Sequence, residues 1–162
     1  MTPILTVSVY AIAALILALI SGVFLAFSDF VMRSLRAASP TSGIEAMQQI
    51  NRKVYSSVFL TWLLGMAPVA TLLSIYAFVF VEGPASTWWV AGGAFYVIGT
   101  FLVTVLGNVP MNKRLDPMTP NGTVAHNYWG TYATIWTRWN HVRTVASAIA
   151  AACFFVGCLL YV

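Results

Sequence analysis

Residues 4–27, ILTVSVYAIAALILALISGVFLAF, form an almost unbroken apolar run near the start of the chain. A membrane-spanning helix needs about 20 such residues, so this run has the length of one crossing. Met1 leads into it with no basic leader and no small-residue cleavage site, and we therefore expect a retained span rather than a signal peptide. The whole chain shares this character, because 60% of its 162 residues are hydrophobic and only 7% are charged. Ordinary soluble domains lie outside that range.

Three further apolar runs predict an all-α, four-helix transmembrane bundle that occupies residues 1–162 as a single domain. Pro68 is expected to kink the second span, and Glu82-Gly83-Pro84 to end it. Polar segments ahead of the second and fourth apolar runs predict cytoplasmic amphipathic extensions of those two helices. The four spans are expected at residues 4–27, 54–81, 88–107 and 144–162.

Lysine and arginine indicate how the bundle is oriented. All of them lie in the polar stretches that flank two of the predicted connections, on one side of the bundle: Arg33, Arg36, Arg52, Lys53, Lys113, Arg114, Arg138 and Arg143. The positive-inside rule places that side in the cytoplasm and both termini outside it, which we expect in the inner (cell) membrane of a bacterium. Nucleic acid is not an expected partner, because the basic residues are not clustered with exposed aromatic residues.

Polar side chains near the cytoplasmic ends of the third and fourth spans form the candidate site. Asn108 and Asn112 are four residues apart, and Trp136, Asn140 and Arg143 follow the i, i+4, i+7 rule, so each set lies on one helix face. We expect the two faces to meet in a pocket, with Asn51 and His141 as outer members. Amides, an indole N–H and a guanidinium suit a planar ligand that carries carbonyl or phenolate oxygens.

A structural interpretation of the same residues stays open. Arginines next to a span are ordinary interfacial charges, tryptophans form membrane belts, and asparagines make hydrogen bonds between helices. No metal site is predicted, because His126 and His141 would lie about 22 Å apart on one helix. Cys153 and Cys158 are expected to be apolar packing residues without a mutual disulfide, and Asp29 is expected to pair with Arg33.

Two segments of the second half, NVPMNKRL at 108–115 and WTRWNHVRT at 136–144, resemble the anthrone oxygenase-like membrane proteins. In the first half, GVFLAFS at 22–28 and MQQIN at 47–51 are similar to the same family. Arg33 stands where the family pattern has a proline, so the first connection is expected to differ. The resemblance covers nearly the whole chain and implies a four-helix membrane protein, some fungal relatives of which insert oxygen into anthrones.

The resemblance implies an oxygenase or related redox enzyme that needs no cofactor and acts on a lipophilic anthrone-like or quinone-like aromatic compound. In this interpretation His141 is the base and Arg143 stabilises the oxyanion. The substrate-binding residues would be Asn51, Asn108, Asn112, Trp136 and Asn140. The alternative is a non-catalytic membrane protein that binds a lipid or a small hydrophobic molecule, or assists a partner enzyme. Membrane lipid is an expected partner in both cases, and self-association through small residues such as Gly92 and Gly93 stays open.

Overall fold

The computed structural model describes residues 2–161, and within that range it contains helices and turns but no strand. Four helices are long and apolar enough to cross a membrane, which confirms the predicted all-α architecture. Met1 and Val162, the outer limits of the predicted domain and of its last span, lie outside the described residues. In chain order the helices are α1 (Pro3–Ala37), α2 (Pro40–Lys53), α3 (Val58–Phe80), α4 (Pro84–Leu115) and α5 (Thr123–Tyr161).

The second span and its expected amphipathic extension, predicted as one continuous helix, form two separate helices. The Ser39 side chain caps α2 by accepting the backbone N–H of Ser42 at 3.3 Å, and Pro40 follows at the first helical position. A short 3₁₀ turn then separates α2 from α3, whose own cap is Ser57, an acceptor for the Leu60 N–H at 3.1 Å. The span therefore begins at Val58, and the expected extension of the second span is a helix of its own.

The helix that contains the third predicted span, α4, continues to Leu115, well beyond residue 107. Pro110 has no N–H, and a proline inside a regular α-helix bends or ends it. Instead, α4 contains a π-helical turn at Thr104–Asn108, closed by a bond from the Val109 N–H to the Thr104 carbonyl. Its i to i+5 bonding accommodates the missing donor, so the helix passes the proline and ends only at Leu115.

Two aromatic residues connect the four long helices toward the end of the bundle that holds the α3–α4 turn. Tyr10 of α1 stacks on Trp89 of α4 with ring centroids 3.7 Å apart. The Tyr10 hydroxyl donates to the Leu73 carbonyl of α3 at 2.6 Å, and the Trp89 indole donates to the Phe154 carbonyl of α5 at 3.0 Å. Each polar group of these buried rings therefore has a partner, which an apolar surrounding requires.

The other end of the bundle, called here the polar end, holds α2 and the Leu115–Thr123 connection. Gln48 of α2 donates to the carbonyls of Leu115 at 3.0 Å and Met118 at 2.7 Å. Arg52 pairs with Asp116 at 2.7 Å. These bonds hold the connection against α2.

Two smaller predictions about single residues can be compared with the structure. The Arg33–Asp29 ion pair is confirmed, with a nitrogen-to-oxygen distance of 2.7 Å. Cys153 and Cys158 are buried free thiols, as expected. A further contact joins the start of α5 to α2, because the His126 ring lies 3.1 Å from the Thr41 hydroxyl.

The close packing around Trp89 predicts which glycines the bundle needs. A Cβ atom at Gly157 would collide with the Trp89 indole, whereas one at Gly65 would meet nothing within 4 Å. Gly157→Ala should lower the free energy of unfolding by about 1–3 kcal/mol through overpacking. Gly65→Ala should leave it unchanged or raise it by about 0.5–1 kcal/mol, because alanine favours helix over glycine. Thermal unfolding of both purified variants in one detergent tests this, and equal stabilities would contradict the packing described.

Candidate functional site

A cavity of about 110 Å³ lies at the polar end, between α1, α4, α5 and the junction of α2 with α3. That volume is several times the ~10–15 Å³ that one water molecule needs. One wall is apolar and is formed by Val23, Phe24, Phe27, Met47, Ile50, Val54, Phe59, Leu60 and Leu63. The polar wall contains Asn51, Thr104, Asn108, Asn112, Trp136, Asn140 and Arg143. Six of the seven predicted site residues therefore lie together, and His141 is the exception.

Two π-helical turns border the cavity. The turn at Phe27–Val31 of α1 begins with Phe27, and the turn at Thr104–Asn108 of α4 supplies Thr104 and Asn108. A π-helical turn adds a residue to the local repeat and so changes which side chains face a neighbouring helix. Such turns are found frequently at functional sites.

One hydrogen-bond network fixes the outer part of the polar wall. The Asn112 side-chain oxygen accepts from the Trp136 indole at 2.8 Å and from the Tyr132 hydroxyl at 2.9 Å. The same hydroxyl accepts from the Asn51 amide at 3.4 Å. The predicted faces of the third and fourth spans therefore meet directly, and α2 joins them through Asn51.

A second network positions Arg143. Its Nη2 donates to the Asn140 side-chain oxygen at 2.6 Å, and Nη1 donates to the Thr104 hydroxyl at 3.4 Å. The Asn140 amide in turn donates to the Phe24 carbonyl and to the Ser28 hydroxyl, both at 2.7 Å. Asn140 therefore holds the guanidinium and ties α5 to α1.

The positive charge of Arg143 is buried without a counter-ion. Its side chain is 5% exposed, and within residues 2–161 it contacts no carboxylate. Two of the four acids, Asp29 and Asp116, pair with surface arginines instead. The guanidinium lies over the rings of Phe24 at 4.2 Å and Trp136 at 5.3 Å, which partly compensate its charge through cation–π interaction. Burying an unpaired charge is costly, so such a residue inside a membrane bundle indicates a function.

Two polar atoms of this wall have no hydrogen-bond partner in the described part of the chain. Arg143 Nε is a buried donor, and Asn108 Oδ1 is a buried acceptor. Asn108 is 1% exposed, and its amide nitrogen already donates to the Trp136 carbonyl at 3.1 Å. Both residues line the cavity, so a ligand there can complete one donor and one acceptor.

His141, the predicted base, does not line this cavity. Its side chain is exposed and lies in two grooves on the outer surface of α5. Positions two apart on a helix point about 200° from each other, so His141 and Arg143 face opposite sides of α5. The structure therefore separates the two residues to which the sequence assigned catalysis.

Tyr132, Thr104 and Ser28 join the site but were not predicted. Tyr132 lies one turn before Trp136 and Thr104 one turn before Asn108, so the helical spacing already contained the signal for both. Ser28 had no such signal, because its contact with Asn140 depends on how α1 packs against α5. For metal binding, no group of three His, Cys, Asp or Glu side chains comes together among the described residues.

Comparison with known protein families gives a match to this chain. A family model described as anthrone oxygenase matches residues 55–153, more than half of the chain. The match contains every cavity residue of α4 and α5, but it begins after Asn51 and so leaves out the cavity residues of α1 and α2. Searches of curated proteins and of solved structures find no match.

The unpaired charge predicts an unusual effect on stability. In the protein without ligand, Arg143→Met should be neutral or raise the free energy of unfolding by ~1–4 kcal/mol, because an apolar side chain of similar length removes the desolvation cost. Asn140→Leu should lower it, because the guanidinium then loses its strongest partner. Thermal unfolding in detergent measures both variants. A large loss of stability in Arg143→Met would show that the arginine is structural.

Proposed function

The chain belongs to the anthrone oxygenase family, and on this premise we propose that it is an oxygenase that binds a lipophilic, weakly acidic aromatic compound as an anion beside Arg143. The observation that carries the proposal is a buried guanidinium that has no carboxylate partner within residues 2–161, in a cavity whose other wall is apolar. A planar anion with its charge at one edge and hydrocarbon rings behind it matches both walls.

The cation favours the ionised form of such a ligand. A positive charge within a few ångströms lowers the pKa of an acid, and the effect is large where water is excluded. An anthrone carries an acidic methylene opposite a carbonyl, and loss of one proton places negative charge on the carbonyl oxygen. Arg143 Nε can donate to that oxygen, while Asn108 Oδ1 can accept from a neighbouring hydroxyl.

The reaction then balances without an external reductant. The enolate gives one electron to O₂, the carbon and the reduced oxygen combine, and a proton completes a hydroperoxide. Loss of water from that hydroperoxide leaves a carbonyl where the methylene was. The substrate loses four electrons and O₂ gains four, so one oxygen atom stays in the quinone and the other leaves as water.

Among the described cavity residues there is no carboxylate or imidazole that could take the first proton. We infer that water takes it and that the enzyme acts mainly by stabilising the anion. His141 as the base stays a prediction, which the geometry does not support because its ring lies outside the cavity.

We further propose that the substrate reaches the cavity from the bilayer at the junction of α2 and α3. Tyr55 lies in that junction, lines the cavity and is 68% exposed, so the cavity reaches the surface there. The predicted orientation, with the polar end in the cytoplasm and both termini outside the inner membrane of a bacterium, belongs to the same proposal.

Oxygen uptake with an anthrone tests the proposal. Wild-type protein in lipid nanodiscs should consume one O₂ per anthrone faster than empty nanodiscs, which measure spontaneous oxidation. Arg143→Met should lower kcat by about 10²–10³, the usual effect of removing one oxyanion donor. Arg114→Met is the matched control, because that guanidinium lies over the Tyr128 ring at 4.4 Å and does not line the cavity.

A third variant separates the two candidate bases. His141→Ala should keep nearly the wild-type rate if water takes the proton, and a loss comparable with Arg143→Met would restore His141 as the base. Uptake equal in Arg143→Met and wild type would contradict the proposed role of the cation. Binding of the anthrone without any catalysed uptake would favour the non-catalytic alternative.

A further inference from the structure

Two arginines outside the cavity have no partner side chain. Four others do: Arg33 with Asp29, Arg52 with Asp116, Arg114 with Tyr128 and Arg143 with Asn140. In residues 2–161, Arg36 and Arg138 make neither a side-chain hydrogen bond nor an ion pair, although they belong to different helices. Two unpaired cations on different helices indicate a binding site only if they lie close together in the structure.

Both unpaired arginines line one groove of about 220 Å³ between the end of α1 and the polar half of α5. His141, Thr134 and Thr137 line it as well, and the Thr137 hydroxyl donates to the Ala133 carbonyl at 2.7 Å. The charge of Arg33, also in this groove, is balanced by Asp29 at 2.7 Å. The groove therefore carries two positive charges that no described side chain compensates, and Thr134 lines it beside them; this arrangement suits a phosphate group.

A second, apolar groove begins at the same histidine. It has a volume of about 840 Å³ and runs between α4 and α5 on the outer surface of the bundle. Its α5 wall extends from His141 to Ile149, about 12 Å at 1.5 Å per residue. That length is close to half of the ~30 Å hydrocarbon core, which is the depth of one leaflet. The remaining lining is formed by Ala91, Ala94, Phe95, Ile98, Gly99, Val142, Val145 and Ala146.

We propose that the two grooves together bind one anionic phospholipid. The phosphate lies between Arg36 and Arg138 beside His141, and one acyl chain follows the apolar groove between α4 and α5. Basic pockets between membrane helices are known sites for anionic headgroups. A free phosphate would use only the first groove and a neutral lipid only the second. Because His141 lines both grooves, they form one continuous site for a molecule that has a phosphate group and an acyl chain.

Native mass spectrometry of the full chain tests this. The protein is purified in mild detergent and titrated with phosphatidylglycerol or phosphatidylcholine of equal chain length. Phosphatidylglycerol should bind more tightly. Arg36→Gln/Arg138→Gln should weaken its binding by about 30-fold, since each basic residue near a membrane surface contributes roughly 1 kcal/mol. Lys53→Gln/Lys113→Gln removes the same charge from the same end of the bundle outside either groove, and should retain binding.

Blocking the acyl-chain groove gives an independent readout. Ala94→Phe should weaken binding of phosphatidylglycerol but leave binding of glycerol 3-phosphate unchanged, and monodisperse gel filtration with wild-type thermal unfolding shows that each variant is folded. Equal losses in the arginine and lysine pairs would overturn the proposal in favour of general electrostatic attraction. Glycerol 3-phosphate that binds as tightly as the lipid would overturn it in favour of a soluble phosphate. Neither outcome depends on the oxygenase proposal.

Discussion

The guanidinium of Arg143 is buried in an apolar bundle and has no carboxylate partner among the described residues. Its neighbours accommodate the charge: Asn140 and Thr104 accept its hydrogen bonds, and the faces of Phe24 and Trp136 lie against it. Dipoles and ring faces reduce the cost of burial but do not neutralise the charge. The cavity therefore keeps a positive potential, and an anionic ligand is the partner that would remove the remaining cost. The proposed chemistry depends on this imbalance.

One end of the bundle is closely packed and stabilises it, and the other end holds the candidate site. Toward the α3–α4 turn, the polar groups of Tyr10 and Trp89 are both hydrogen-bonded, and these two rings link all four long helices. At the polar end, π-helical turns interrupt α1 and α4, and α2 is separated from α3 by a short turn. The cavity lies beside two of these π-helical turns, Phe27–Val31 and Thr104–Asn108. The closely packed end keeps the bundle together while the polar end holds unpaired donors and acceptors.

Much of the fold and of the candidate site could be predicted from the sequence. Composition and run length give the four apolar helices. The i, i+4 spacing places Asn108 with Asn112 and Trp136 with Asn140 on one helix face each, and the i, i+3 spacing adds Arg143 to the second face. The same spacing rule, applied strictly, would have removed His141 from the site, because residues two apart on a helix face opposite ways. The continuation of α4 past Pro110 was not predictable from propensity, since it depends on a π-helical turn. The contact of Ser28 with Asn140 depends on tertiary packing, which no local pattern encodes.

The proposed function requires that the Arg143 cavity binds an ionised oxygen in preference to a neutral one. A hydroxyanthraquinone changes colour when its hydroxyl ionises, so absorption spectra of the bound dye across a pH series report its pKa directly. We expect the pKa of the dye bound to wild-type protein to lie well below its value in the same detergent without protein, because a buried cation stabilises the anion. Arg143→Met should return the pKa to or above that reference. A bound pKa at or above the reference in folded wild-type protein would contradict the account.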